Sequence, residues 1–194
     1  MPLRWEIPGA DTLVSAAVYQ INQQNALVAD PVNPTFSIQT GQVRSQGFET
    51  EVRTNFGPLQ AVASYSYTDA RQVRTTVAAN LNQLLDLVPY HQAAVFGTYD
   101  MAAVGLPGLR FGGGVRYIGS SNISGGVTFD TRPATLFDLV AIYDFGVADQ
   151  TLRGWRAQFN VRNVLDHAYV TCVTANGCRY SEPRNVFGTL SYRW

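Results

Sequence analysis

Hydrophobic and polar positions alternate most regularly at the end of the chain. Over residues 185–194, Val186, Gly188, Leu190, Tyr192 and Trp194 fall on one face, and Phe187, Thr189, Ser191 and Arg193 on the other. A period of two predicts a β-strand with one apolar side. The last residue is aromatic and carries the α-carboxylate. That fits a membrane interface, where an amphipathic ring sits at headgroup level. Taken alone, the stretch fits an ordinary antiparallel strand over a soluble core equally well. Seven more segments alternate in the same way, at about 12–27, 40–54, 59–70, 91–101, 109–119, 134–146 and 154–165. The 154–165 segment is the cleanest, with Trp155, Ala157, Phe159 and Val161 against Arg156, Gln158, Asn160 and Arg162. The 134–146 segment places Phe137, Leu139, Ala141, Tyr143 and Phe145 on one side, and the 91–101 segment places Ala93, Val95, Gly97, Tyr99 and Met101. The predicted fold is all-β and antiparallel, with about eight strands.

The connections separate a membrane barrel from a soluble sandwich. Those at 55–58, 102–108 and 147–153 are short, and those at 28–39, 71–90, 120–133 and 166–182 are longer. Strict alternation of short and long is the habit of up-and-down outer-membrane barrels. The segments are also close to the roughly 9–11 residues that cross a bilayer at a tilt. The face opposite the apolar one carries Glu49, Glu51, Arg53, Arg110, Arg116, Arg156, Arg162 and Arg193. Burying these charges in a dry core would cost several kcal/mol each unless they were paired. That face is therefore expected to meet water or a polar partner. Small residues on the apolar face, such as Ala61, Ala63, Gly113 and Ala157, suit lipid, where no jigsaw fit is needed. Tyr99, Phe111, Phe145, Trp155 and Trp194 are predicted to share one rim, as an aromatic girdle does.

Composition narrows the picture further. Charged residues make up 14% of the 194 positions, against roughly 25% in soluble domains. The formal net charge is zero, so nothing points to nucleic acid as a partner. No stretch approaches the ~20 apolar residues of a transmembrane helix. Residues 1–10 lack the basic and apolar regions of a secretory signal peptide. Cys172 and Cys178 have five residues between them. That spacing favours a small disulfide loop in an oxidising compartment, worth roughly 2 kcal/mol, over a metal pair, for which His167 is the one nearby additional ligand. The only histidines, His91 and His167, sit in no nucleophile motif, and no phosphate-binding, dinucleotide or paired-carboxylate signature is present. An enzyme is not expected, nor is a cofactor.

Several runs, in order, carry a family resemblance. They are Gln42-Val-Arg-Ser-Gln-Gly-Phe-Glu-Thr-Glu51, Val88-Pro-Tyr-His91, Gly114-Val-Arg-Tyr-Ile-Gly119, Phe159-Asn-Val-Arg-Asn-Val-Leu-Asp-His-Ala-Tyr169 and Tyr180-Ser-Glu-Pro-Arg184 with the closing aromatic. Over nearly the whole chain the sequence resembles the C-terminal part of TonB-dependent outer-membrane receptors, in particular siderophore receptors. The resemblance implies a Gram-negative outer-membrane location and a barrel of about 22 strands around an N-terminal plug. It implies uptake of ferric siderophores, driven by TonB acting through that plug. It also implies that the strand carrying Tyr192 and Trp194 is the signal read by the barrel-assembly machinery. Residues 1–194 would be a C-terminal portion of the barrel without the plug, supplying wall among outer-membrane lipid and outer loops that help gather ligand. Arg110, Arg116, Arg156 and Arg162 are candidates to face the lumen, toward the plug or an anionic ligand path, or simply to pair with carboxylates there. The alternative expectation is a self-contained eight-stranded barrel, an anchor or narrow pore.

Overall fold

The computed structural model describes residues 3–123, 129–172 and 177–194. Residues 124–128 and 173–176, within two of the expected long connections, lie outside that description. In chain order the strands are β1 (Leu3–Glu6), β2 (Asp11–Ala29), β3 (Ser37–Phe56), β4 (Leu59–Arg74), β5 (His91–Asp100), β6 (Leu109–Ile118), β7 (Asn122–Ile123), β8 (Phe129–Asp130), β9 (Ala134–Asp144), β10 (Trp155–Arg162), β11 (Val170–Cys172), β12 (Cys178–Tyr180) and β13 (Asn185–Tyr192). A single turn of helix, α1 (Phe145–Ala148), lies between β9 and β10. Among the described residues no helix is long and apolar enough to cross a membrane.

Nine strands form one antiparallel sheet in the order β1-β2-β3-β4-β5-β6-β9-β10-β13. The hairpins β7–β8 and β11–β12 stand apart as two-stranded sheets. Each of the eight segments expected from alternation is a strand of the main sheet. The ninth, β1, pairs with β2 through Trp5↔Val14 and Glu6↔Leu13. Four residues before Pro8-Gly9 are too few to show a period. Two further differences lie at strand ends. Met101 and Phe145, expected on strands, begin a 3-10 turn and α1 respectively. There the side chains of Asp100 and Asp144 accept backbone N–H groups from Ala102 and Gly146, and such local caps compete with the ladder. Trp194 lies two residues beyond the last strand residue and is fully exposed.

The register puts apolar side chains in common rows. Leu59, Tyr99, Phe111, Ala141, Phe159 and Gly188 are successive cross-strand partners. Val14, Val52, Ala63, Val95, Val115 and Phe137 form another row. These apolar side chains are mostly exposed: Val95 by 55%, Phe159 by 51% and Phe111 by 48%. The whole chain exposes 13191 Å², whereas a folded soluble monomer of its mass would expose about 9100 Å². An open sheet with an apolar outer face accounts for the excess. A soluble sandwich would have covered that face with a second sheet.

All the short connections gather at one end. The β3–β4 turn is Gly57-Pro58 between the paired Phe56 and Leu59. Gly57 has φ +57° there, as the first position of a tight hairpin turn requires. The aromatic rim lies at this end. Tyr99 pairs with Phe111, the Trp155 ring lies 5.1 Å from Tyr192 at a tilt of 41°, and Phe145 meets Tyr143 edge-on at 5.0 Å. In the β9–β10 turn, the Thr151 hydroxyl and N–H both donate to Asp149 and hold its carboxyl below the usual range. Because β1 and β13 are first and ninth in an antiparallel run, they point the same way along the sheet.

Candidate functional site

The polar face of the sheet and the long-loop end above it carry the chemistry. Period two sends Glu49 and Glu51 of β3, Ser64 and Ser66 of β4, Gln92 and Ala94 of β5, and Arg116 of β6 to one side, together with Ser15 and Ala17 of β2. They line a hollow of about 580 Å³. Short side chains keep its floor low, and the carboxylates and Arg116 give it charge. Gly112 and Gly114 continue the floor on β6. A Cβ on Gly112 would come within 2.5 Å of Gly97 O, and one on Gly114 within 2.6 Å of the Phe96 ring. Close approach between strands therefore requires glycine there.

The four arginines singled out from sequence all fall on this polar face. Arg116 is the best held: its Nε and Nη2 donate to Asp138 Oδ2 and Oδ1 at 2.6 and 3.0 Å. This bidentate pair ties β6 to β9. Arg156 reaches Asp144 at 3.5 Å, with both side chains substantially exposed. Arg110 lies opposite Asp100 in the β5–β6 register. Arg162 opens onto a small cavity shared with Arg116, Tyr169 and Glu182. These arginines do not converge on one point. They are spread along two strands of the wall, β6 and β10, that flank β9.

Asn163 is the hub that sequence reading passed over. It follows β10 directly, is 3% exposed, and has a left-handed backbone with φ 51°. Its N–H donates to Asp138 Oδ1 at 2.9 Å, and its side-chain oxygen accepts from His167 N at 2.9 Å. Its Nδ2 reaches His167 O and Glu182 O at 3.1 and 3.3 Å. One residue thus fastens β9, the chain leaving β10 and the chain entering β13. Next to it, Asp166 accepts from Arg184 N at 2.7 Å. The signal in the sequence was an asparagine followed closely by an aspartate just past a strand, the usual chemistry of a tight turn.

Above the sheet the long connections touch one another. Asn122, 2% exposed, donates to Leu84 O at 3.3 Å. Ser121 bonds Thr131 through both its N–H and its hydroxyl. Between them and Tyr169–Thr171 lies a cavity of about 260 Å³ whose lining includes Gln92 and Arg132. The hairpin β11–β12 closes with Cys172 and Cys178 opposite each other and their sulfurs 2.06 Å apart. His91 accepts or donates at Nδ1 with the Tyr65 hydroxyl at 2.7 Å, on the apolar face. Among the described residues no group of three histidine, cysteine or carboxylate side chains could hold a metal ion.

An antiparallel wall with an apolar side, a charged side, short turns at one end and packed loops at the other defines part of a transmembrane β-barrel. Over residues 3–164 the chain matches the model of the TonB dependent receptor-like, beta-barrel family, and it belongs to that family. It is 34% identical over 199 residues to the ferrioxamine B receptor of Salmonella typhimurium strain LT2, covering 98% of this chain and 27% of the receptor. Against the ferrichrome outer membrane transporter/phage receptor of Escherichia coli K12 it is 32% identical over 184 residues, covering 94% and 24%. The chain therefore spans about a quarter of the length of these curated relatives. Among solved structures, the ferric preacinetobactin receptor BauA of Acinetobacter baumannii superposes with TM-score 0.77 at 19% identity, over 98% of this chain and 28% of that one. The FrpB iron transporter of Neisseria meningitidis gives 0.75 at 15%, over 98% and 29%. The relatives it matches are receptors and transporters rather than enzymes.

Proposed function

We propose that this chain is a C-terminal portion of the barrel of an outer-membrane receptor that takes up ferric siderophores with energy delivered through TonB. The observation that carries the reading is the family match over 3–164 on a sheet whose two faces differ as lipid and lumen differ. In this reading the apolar rows face outer-membrane lipid in a Gram-negative cell. Arg110, Arg116, Arg156 and Arg162 face the lumen with Glu49 and Glu51. The loop end, with the Cys172–Cys178 hairpin, faces outward, and a plug supplied by the rest of the receptor contacts TonB. Tyr192 and Trp194 close the strand offered to the barrel-assembly machinery. The chain's own contribution is positional: it shapes the wall, fixes the loops and places charge along the path. Two relatives that match it are named for ferrioxamine B and ferrichrome, so these are the first ligands to test.

The experiment is uptake of radioactive iron as ferrioxamine B, ferrichrome and a pyoverdine by cells carrying or lacking the receptor gene, in energised and TonB-deficient backgrounds. Uptake of at least one chelate is expected to require both the receptor and TonB. Equal uptake with and without the gene for all three would overturn the reading. The alternative of a self-contained barrel is disfavoured by the strand count. Nine up-and-down strands bring β1 and β13 to the edges pointing the same way, whereas bacterial barrels close with an even number of antiparallel strands.

A further inference from the structure

The wall and its charges leave unexplained the cavity of about 260 Å³ where three long connections meet. Each connection is fixed there by its own bonds. Leu85 N donates to Ala70 O at 2.9 Å, which holds the 71–90 connection to β4. Pro89 and Ser121 then form a β-bridge between that connection and the 120–133 connection. Thr131 N donates back to Ser121 O at 2.8 Å, closing the second connection on itself. In the third, Ser181 N donates to Tyr169 O and Tyr169 N to Ser181 Oγ. The cavity is therefore walled by segments that are already in place, and a preformed site loses little freedom on binding.

Two features mark it as more than a packing gap. Leu87, in its lining, has a left-handed backbone with φ 62°. That conformation is strained for a leucine, and residues held so gather at ligand clamps. Gln92 and Ile118, also in the lining, are cross-strand partners at the loop end of β5 and β6. The same two residues line the 580 Å³ hollow on the polar face. The cavity is thus a side chamber that adjoins the hollow of the wall.

Size and lining select the occupant. At about 260 Å³ the chamber is smaller than the roughly 300–1,000 Å³ of pockets that enclose a whole ligand, so it suits one arm of a larger molecule. Leu87, Pro89, Ile118 and Val170 make much of the lining aliphatic. Arg132 is exposed beside them and has no ion-pair partner among the described residues. The described lining carries no carboxylate to neutralise it. A guanidinium grips a carboxylate through two parallel N–H bonds, and the Gln92 amide offers a further donor.

We propose that this chamber binds a short aliphatic arm of the iron chelate that ends in a carboxylate. Arg132 holds the carboxylate, and Leu87, Pro89, Ile118 and Val170 pack on the methylenes. This rests on the reading of the chain as siderophore-receptor wall. It makes Arg132 a specificity-determining residue that favours chelates with an acidic arm over those without one. No bond is made or broken.

The test uses the complete receptor that carries this sequence, purified in dodecyl maltoside, and two derivatives of ferrioxamine B made at its terminal amine. The N-succinyl chelate ends in a carboxylate and the N-acetyl chelate does not. Affinity is read by quenching of intrinsic fluorescence. The parent is expected to bind the N-succinyl chelate about tenfold more tightly, the effect of one charge-assisted hydrogen-bonded contact. R132Q is expected to bring the two affinities together while leaving that of the N-acetyl chelate unchanged. R132K, which keeps the charge but not the fork, is expected to fall between. Heat-modifiable gel migration checks that each variant folds, as an exposed arginine leads one to expect. Equal affinities in the parent, or an undiminished preference in R132Q, would overturn the chamber while leaving the receptor reading intact. Failure of both chelates to bind the folded parent would remove the reading on which the chamber rests, and the chamber with it. Tight binding of succinate alone would overturn the assignment to an arm of the chelate.

Discussion

Asn163 combines two properties that few residues can supply. Its backbone is left-handed, which asparagine tolerates better than most side chains. Its amide makes three hydrogen bonds to chain segments that would otherwise part just above the sheet. Asn163→Ala removes all three and leaves a Cβ at positive φ, for a cost on the order of 2–3 kcal/mol. Asn163→Gly relieves the backbone but not the lost bonds, and should fall between. Urea midpoints of the purified barrel would show the order, and an alanine variant as stable as the parent would refute the hub role. Alternation placed this residue inside the 154–165 segment, whereas the strand ends at Arg162, so the pattern alone could not reveal it. Asp138, by contrast, was legible: between Phe137 and Leu139 it must face the polar side, where it meets Arg116. Gly47 shows the same limit as Asn163. Tyr19 crosses it to bond Thr68 at 2.9 Å, and a Cβ there would collide with Tyr67 O, a three-strand arrangement that no single segment displays.

At the scale of elements, the strands that cross the apolar band were readable to within a few residues, since each alternates over its full crossing. The upper parts of β2 and β3 were less so. Gln20, Asn22, Gln23 and Gln24 put polar groups on both faces, so the period is lost while the ladder continues to Ala29. A bulge near Asn25, with φ 58°, shifts the register before the hairpin turns at 30–36. The hairpin β11–β12 has only three residues per strand, too few to show any period. Its covalent closure matters more for being separate from the main sheet. Replacing Cys172 and Cys178 by serine should release roughly 2 kcal/mol of chain-entropy stabilisation, and only locally. Hydrogen exchange at 170–172 and 178–180 is expected to rise at least tenfold, with β9 and β10 unchanged. Faster exchange throughout β9 and β10 would mean that the hairpin supports the wall, contrary to this division.

At the scale of the whole molecule, the open edges set what the sheet needs in order to persist in lipid. β13 pairs with β10 on one side only, and β1 with β2 on one side only. The outer edge of β13 leaves alternate N–H and C=O groups without partners, and each such group costs several kcal/mol in hydrocarbon. Joining the two edges does not solve this well. β1 offers four residues against eight in β13, and the strands would meet in parallel. Residues 1–194 expressed alone and refolded into detergent are therefore expected to give no compact, heat-modifiable monomer. The same residues within the receptor barrel should show one. Gel migration with and without boiling, alongside light scattering for mass, decides the matter. A compact 21.3 kDa species that shifts on boiling would show that nine strands close by themselves, and would revive the small-barrel reading that the parallel edges argue against. An assembly of several copies would instead show that strand edges pair between chains, which is how an incomplete wall would satisfy its backbone.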